Sequence, residues 1–468
     1  PREQLFTRCA RLLGVDESYM EKHLMDMVID RKLVLKEKSG ETIVYPAQYY
    51  YLELNTARML NELNIVCPED KELVRHRIEL IEKETGTVLD EMQKRAITEA
   101  ADHGLFILTG GPGTGKTTTI NAIIRFFEGE GAEIRLAAPT GRAAKRMTET
   151  TGYEAQTIHR LLELNGMPEE ERDGHSAKFE RNAQNPLEAD VIIIDEMSMV
   201  DIHLAVRLMR AVSPEARVIL LGDKHQLAAV GPGAVFAEIS DGKGALARMG
   251  AVVELSKSWR FGKDTPIGQL AAAINHQGVN AGLPEAEVFQ NVLAAFASAE
   301  ANADKSLQSA SLHTAGLMEL QKGVFTSKAT DEQKREREIF SRTGLTAPVR
   351  SWLNRELEGY ASVLSECRAA YLAGTTKEQW ESLRQKLWLC LSGFRALAAQ
   401  RHGAMSVQAV NDYADQRIRS VWPLSEGAFG GGHYPGEVII VRRNDEGLGV
   451  HNGDVGIVLP KLLELDTP

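Results

Sequence analysis

The run Gly110-Gly111-Pro112-Gly113-Thr114-Gly115-Lys116-Thr117 has the spacing G-x-x-x-x-G-K-T and carries the plainest chemistry in the chain. Glycines so placed let backbone N–H groups curl around phosphate oxygens where a helix begins, and the helix N-terminus adds a positive field. Lys116 supplies an ammonium for β- and γ-phosphate charge, and the Thr117 hydroxyl can ligate Mg²⁺. Gly111, Pro112, Gly113, Thr114, Gly115, Lys116, Thr117 and Thr118 are the expected triphosphate cradle, with ATP and Mg²⁺ as ligands. An apolar stretch, Phe106-Ile107-Leu108, precedes the run and a helical pattern follows it, the context in which the motif has meaning.

About eighty residues further on, Asp195-Glu196 leaves the apolar run Val191-Ile192-Ile193-Ile194. In-line phosphoryl transfer needs charge neutralisation and an oriented nucleophile. Asp195 is the expected holder of Mg²⁺ through its water shell, and Glu196 the group that polarises the attacking water. Gly222-Asp223-Lys224-His225-Gln226-Leu227 follows Val218-Ile219-Leu220-Leu221 and sets Gln226 where an amide can sense a γ-phosphate. Taken singly, the acid pair also reads as a solvated strand end and the Gln226 segment as a polar loop with a capping Asp. Their company decides between the readings: three polar groups, each at the end of an apolar run, fit one phosphate site at one edge of a sheet.

These side chains need a scaffold. From Leu105 to about Ile239, short apolar runs alternate with amphipathic stretches, the pattern of a parallel α/β sheet flanked by helices. Upstream, Asp16 can cap a helix carrying Met20, Leu24 and Met27, and two strand-like segments, Leu33-Val34-Leu35 and Thr42-Ile43-Val44-Tyr45, flank Ser39-Gly40. Residues 1–68 therefore have a winged-helix-like outline, and a packing appendage without DNA contact fits them equally. Two long helices are expected over about 50–102. Residues 275–350 lack periodicity, helical pattern returns over about 351–400, and Glu437–Val441 with Val455–Val458 suggest two strands of a second sheet or small barrel. The expected domains are 1–68, 69–245 and 246–468.

A chain of 468 residues exceeds one compact core, and 43% hydrophobic with 25% charged residues is an ordinary globular balance. The net charge of −11 argues against coating nucleic acid by bulk attraction and leaves a local basic groove open. No apolar run reaches bilayer-spanning length, so no membrane partner is expected. Cys9, Cys67, Cys367 and Cys390 lie far apart, which fits buried thiols in a reducing cytoplasm better than disulfides or zinc ligands. The start, Pro1-Arg2-Glu3-Gln4, lacks an initiator Met and a signal pattern, as in a fragment of a longer chain.

The phosphate loop, acid pair and Gln226 segment together resemble nucleic-acid helicases, and the intervening segments extend the resemblance to RecD-like DNA helicases of superfamily 1, the family of the α subunit of exodeoxyribonuclease V. Ala137-Ala138-Pro139-Thr140-Gly141-Arg142-Ala143-Ala144 looks like the family's first single-strand contact, and Thr157-Ile158-His159-Arg160-Leu161-Leu162 like its next. Pro139, Thr140, Arg142 and His159 are the expected DNA-binding residues; hydroxyl and guanidinium groups can hold phosphates, and an imidazole can donate to one or stack on a base. A core histidine is the other reading of His159. Asp90-Glu91-Met92-Gln93-Lys94 resembles the helicase glutamine motif, in which Gln93 would read the adenine edge by its paired donor and acceptor. Leu255-Ser256-Lys257-Ser258-Trp259-Arg260-Phe261 resembles the segment that carries an arginine to the γ-phosphate, which makes Arg260 the candidate arginine finger.

The resemblance is strong over 85–275 and 385–459 and weak over 276–384. It implies two RecA-like P-loop motor domains, the second partial, moving 5′ to 3′ on single-stranded DNA in recombination and repair, with helicase–nuclease subunits as possible partners. The family's segments beyond Asn452-Gly453-Asp454, including a second arginine motif, are not found before Pro468. An RNA helicase and a non-catalytic nucleotide-binding subunit of a helicase–nuclease complex therefore stand as alternatives.

Overall fold

The computed structural model describes residues 1–38, 40–165, 178–259, 287, 290–291, 338–398, 400–423, 432–442, 448, 450 and 453–462. The chain divides into two compact units, 1–263 and 264–468.

The first unit opens with helices α1 (Arg2–Leu13) and α2 (Glu17–Ile29) and an antiparallel hairpin, β1 (Leu33–Lys38) and β2 (Glu41–Pro46). Asp16 caps α2 by accepting from the Tyr19 N–H at 2.8 Å. Of the three apolar residues expected on its inner face, Leu24 is buried and Met27 is exposed. Three helices follow where the sequence suggests two: α3 (Ala47–Leu63), α4 (Lys71–Thr85) and α5 (Glu91–Asp102). The division has local causes. Asp70 and Asp90 cap α4 and α5, and Gly86 ends α4 at φ 65°, a left-handed conformation that favours glycine.

The sheet is formed by β3 (Leu105–Gly110), β4 (Ile134–Ala138), β5 (Ala155–Thr157), β8 (Val191–Ile194), β9 (Arg217–Gly222) and β10 (Val252–Leu255). A short antiparallel pair, β6 (Leu164–Asn165) and β7 (Lys178–Phe179), stands outside it. The order is β10-β3-β9-β8-β4-β5 and every pairing is parallel. Strand β10 lies beyond residue 245, where the sequence places a domain boundary, yet it pairs with β3 within this unit.

Helices α6 (Lys116–Glu128), α7 (Gly141–Thr151), α8 (Ile158–Leu161), α9 (Ile202–Ala211), α10 (Val235–Ile239) and α11 (Ala245–Arg248) complete the unit. Alternate strand residues enter opposite cores. Leu105, Ile107, Ile192, Ile194, Val218 and Leu220 pack with Leu60 and Leu63 of α3 and Leu208 of α9. Phe106, Leu108, Val191, Ile193, Ile219 and Leu221 pack with Ile97 of α5 and Ile123 and Phe127 of α6. Both faces are covered, and that is why these strands are continuous apolar runs rather than alternating ones.

In the second unit, α12 (Ala347–Ala373) turns at Gly374 into α13 (Lys377–Ser392), and α14 (Val407–Val421) follows. Strands β11 (Val438–Ile440) and β12 (Val455–Ile457) pair antiparallel, as a two-stranded sheet. Leu364, Cys367, Trp380, Leu387 and Trp422 centre its core, and the Tyr360 hydroxyl donates to the Gly436 carbonyl at 2.9 Å. Burial raises the Cys367 thiol to about 11, which keeps it protonated; Cys67, by contrast, is exposed rather than buried as expected. Among the described residues, no helix is long and apolar enough to cross a membrane.

Candidate functional site

Strand register fixes where the polar segments emerge. Gly110 pairs with Leu255, Thr109 with Gly222, and Ile194 with both Leu220 and Ala137. Parallel strands end together, so the segments that begin at Gly111, Pro139, Asp195, Asp223 and Ser256 leave one edge of the sheet. Ligands of open α/β sheets gather at that edge.

The phosphate loop runs from the end of β3 to the N-terminus of α6. Gly113 and Gly115 sit at φ 74° and 87°, and the Thr114 hydroxyl donates to the Gly111 carbonyl at 2.8 Å, closing the loop on itself. The first-turn N–H groups of α6 have no partner within the helix and face the loop. A Cβ on Gly115 would lie 2.7 Å from Gln93 Nε2 and 3.5 Å from Trp259 Cδ1, so only glycine fits between them. Thr117 and Thr118 are exposed at the helix start, where a hydroxyl is accessible to a metal. Lys116 donates to the Gly110 carbonyl and, at 3.2 Å, to the Gly111 carbonyl, which holds its ammonium across the mouth of the loop.

Asp195 and Glu196 emerge two strands away. The Asp195 N–H donates to the Ala137 carbonyl at 3.0 Å, and the Asp195 carboxylate accepts from the Glu196 N–H at 2.8 Å. Glu196 has φ 52° and ψ 38°, a left-handed conformation costing a non-glycine residue about 1–3 kcal/mol. The turn it opens, Met197–Met199, is held by Met199 N–H donating to the Glu196 carbonyl at 3.0 Å. The strain turns the second carboxylate away from the strand direction at the site edge.

Electrostatics ties the two segments together. Burial lowers the Lys116 ammonium from its ordinary value, and the carboxylates of Asp223, Asp195 and Glu196 oppose that shift. Burial raises the Asp195 carboxyl, against its hydrogen bond from Glu196 N–H and the charges of Lys116 and Arg146. Glu196 is raised by burial and by its neighbour Asp195, with Lys116 and Arg146 opposing. Lys116 and the acid pair thus share one field. The donor set of loop amides, one ammonium, one accessible threonine hydroxyl and two carboxylates fits a triphosphate with a hard divalent cation.

Gln226 is exposed, and its Oε1 accepts from the Ser198 hydroxyl at 3.2 Å, linking it to the turn that carries Glu196. Asp223 is buried and accepts from the His225 N–H at 2.9 Å. Gln93 is 3% exposed and closes a capping box: its Oε1 accepts from the Asp90 N–H at 2.9 Å, and its Nε2 donates to the Gly115 carbonyl at 3.5 Å. Its acceptor is therefore engaged, and reading both hydrogen-bonding edges of an adenine requires that cap to open.

Pro139 and Thr140 are half-buried at the end of β4, Thr140 caps α7 by accepting from the Ala143 N–H at 3.2 Å, and Arg142 is exposed in the first turn. His159 is exposed on α8 with its ring 6.2 Å from that of Phe179, which removes the core-histidine reading. Arg260 lies outside the described residues. Its neighbour Trp259 does not: its N–H donates to the Gly113 carbonyl at 2.8 Å, and the Lys257 ammonium lies 3.6 Å from its ring centroid. Trp259, Ser198 and Arg146 are the site residues that the sequence reading passes over. None has a motif signature of its own; Arg260 drew the attention that the adjacent indole also merits.

The sheet and its edge place the first unit among P-loop nucleotide-binding α/β domains, and the AAA domain family matches residues 93–232. More particularly, the chain is similar to RecD proteins. It is 39% identical over 216 residues to the RecBCD enzyme subunit RecD of Mycolicibacterium smegmatis, covering 41% of this chain and 37% of that protein. The ATP-dependent RecD2 DNA helicase of Deinococcus radiodurans is 38% identical over 239 residues, covering 51% of this chain and 31% of its own. The RecBCD enzyme subunit RecD of Haemophilus influenzae is 27% identical over 425 residues, covering 79% and 58%. The chain thus spans less than two thirds of the length of these relatives.

Proposed function

We propose that the chain is the motor of an ATP-dependent DNA helicase acting in recombination and repair. The observation that carries the reading is the shared field of Lys116, Asp195 and Glu196 at the edge where the glycine loop closes. Gly111 to Thr118 cradle the triphosphate, with Lys116 on its terminal charge. Thr117 and Asp195 would hold a Mg²⁺ ion, which would supply neutralisation of phosphate charge. Glu196 orients the attacking water by accepting its proton. Gln226, held by Ser198, senses the γ-phosphate, and Gln93 and Trp259 border the mouth where a base would lie.

On the same edge, Pro139, Thr140, Arg142 and His159 form the single-strand grip, with hydroxyl and cationic groups suited to phosphodiesters and an imidazole to a base. Arg260 is the proposed arginine finger, a group worth about 10³ to 10⁵ in rate where it reaches the transferring phosphoryl. The similarity to RecBCD enzyme subunits supports partner subunits of that kind, and 5′ to 3′ movement is carried by the family resemblance of the motifs. The test is ATP turnover with poly(dT), with poly(U) and with neither. Stimulation by poly(dT) is expected; stimulation by poly(U) alone overturns the DNA assignment, and nucleotide binding without turnover on any polymer overturns the motor.

A further inference from the structure

None of the residues assigned above to the nucleotide site or the strand grip lies in 1–68, yet the hairpin of that segment sorts its side chains by kind. In an antiparallel pair, residues directly opposite share a face and successive residues change face. Leu35 pairs with Val44 and Glu37 with Thr42 on one side, where the Thr42 hydroxyl donates to the Glu37 carboxylate at 2.6 Å. On the other side Val34 pairs with Tyr45, Lys36 with Ile43 and Lys38 with Glu41.

Helix α3 lays further tyrosines against that second face. Its three consecutive tyrosines turn about 100° from one to the next and so take three directions. Tyr49 points to the motor core: its ring lies 5.8 Å from that of His203 on α9, and it packs on the buried cluster with Leu52 and Met59. Tyr50 lies over the hairpin, its ring 5.7 Å from that of Tyr45 and its centroid 5.4 Å from the Lys36 ammonium. Tyr51 stands outermost, 51% exposed, with its ring 5.4 Å from that of Tyr50. Three rings in contact are thus rimmed by the exposed Lys36 and Lys38 and tied to the motor core through Tyr49. Lys32 is held by Asp30 at 3.0 Å, whereas among the described residues Lys36 and Lys38 make no salt bridge, even with Glu41 across the hairpin.

Ring and charge together choose the partner. Aromatic faces stack on unpaired bases while ammoniums follow the backbone phosphates, the two contacts by which single strands are bound without sequence preference. A duplex fits less well. In helix-turn-helix modules the second helix enters the groove, but α2 carries Glu17, Glu21 and Asp26 against Lys22, and leaves Met25, Met27 and Ile29 exposed. We propose that Lys36, Lys38, Tyr45, Tyr50 and Tyr51 form a second contact for single-stranded DNA, outside the strand grip. The choice of DNA rests on the reading above; the contact itself uses none of the residues assigned there.

The experiment uses the full chain, its Tyr51→Ala and Tyr51→Phe variants and the double variant Lys36→Gln with Lys38→Gln. Each is titrated with oligo(dT) over a range of salt, and its Tm is measured. Tyr51→Ala is expected to weaken binding about fivefold or more, the loss of one stacked base, and Tyr51→Phe to retain it. The double lysine variant is expected to flatten the slope of log Kd against log salt by about 1.4, two phosphate contacts at about 0.7 each. All should keep the wild-type Tm, since the altered side chains are exposed. Irradiation of the wild type with a 5-iododeoxyuridine oligomer locates the strand independently, with an adduct expected within residues 45–51. Wild-type affinity in Tyr51→Ala, or an unchanged salt slope in the lysine variant, overturns the proposal. Weakened binding that comes with a lowered Tm, or that Tyr51→Phe shares, overturns it too. Adducts confined to 139–142 and 157–162 overturn it and leave the strand grip standing, whereas adducts confined to 45–51 uphold it and overturn the grip.

Discussion

Asp195→Asn separates the cost of the acid pair from its use. Burial is the largest influence on the Asp195 carboxyl and raises it above 3.8, the ordinary value, despite Lys116 and Arg146. A carboxyl raised in the folded state binds its proton more tightly there than in the unfolded chain. Its contribution to stability is thus fully present below the unfolded value and is lost as pH rises through the folded one. At neutral pH the ionised group is a net burden. Removing the charge should therefore stabilise the metal-free protein at neutral pH. Asparagine keeps the shape and an oxygen for the Glu196 N–H. That gain should appear as a raised Tm. The assay is thermal unfolding at pH 7.5 in EDTA, repeated towards pH 4, where the advantage should vanish, and repeated with Mg²⁺ and ATP. A ligand at one hundred times its Kd stabilises by about 2.7 kcal/mol, and wild type should gain that while the variant gains far less, reversing their order. A variant less stable than wild type in EDTA would refute the reading that burial outweighs the compensating hydrogen bond and cations at Asp195. An equal gain with Mg²⁺ and ATP would refute its placement at the metal.

Three further outcomes follow from the loop and its neighbours. Lys116→Ala should abolish tight binding of Mg²⁺ and ATP, measured by titration with a fluorescent analogue, while the far-ultraviolet circular dichroism stays that of wild type. Gly115→Ala must place a Cβ at φ 87° and 2.7 Å from Gln93 Nε2, so it should cost about 1–3 kcal/mol, read as a lowered Tm, as well as closing the cradle. Gln93→Ala removes one half of the capping box and should cost on the order of 1 kcal/mol in unfolding. If the cap opens to read adenine, the same variant should also lose most of its preference for ATP over GTP in competition binding, whereas an unchanged preference would leave Gln93 a cap alone.

What could be read from the sequence, and what could not, divides along a physical line. The strands β3, β8 and β9 were legible because burial on both faces writes itself as an apolar run that ends where its loop begins, and β4 was legible from Ile134 and Leu136 despite the exposed Arg135 between them. Strand β5, Ala155–Thr157, was not, since three half-buried residues at a sheet edge carry too little apolar surface to mark them. Strand β10 was hidden for a different reason: Val252-Val253-Glu254-Leu255 includes a charged residue, and only pairing with β3 makes it a strand of this sheet. The third helix over 50–102 was available from local chemistry: Gly86 follows a charged helix end and stands four residues before a capping Asp.

The site shows the same division more sharply. Lys116, Asp195 and Gln226 each follow closely on a strand end, so residue type and spacing alone mark them as candidates. Arg146 and Ser198 act across elements. Ser198 matters because its hydroxyl reaches Gln226, twenty-eight residues on, and Arg146 because α7 lies where its charge meets Asp195 and Glu196. Nothing local to either residue encodes that meeting; it depends on β8 lying between β9 and β4. That order sets the acid pair one strand from the root of α7 and two strands from the phosphate loop. Asp195 and Glu196 nevertheless lie within the field of Lys116, across β9, and that reach between strand ends two places apart is what no stretch of sequence records.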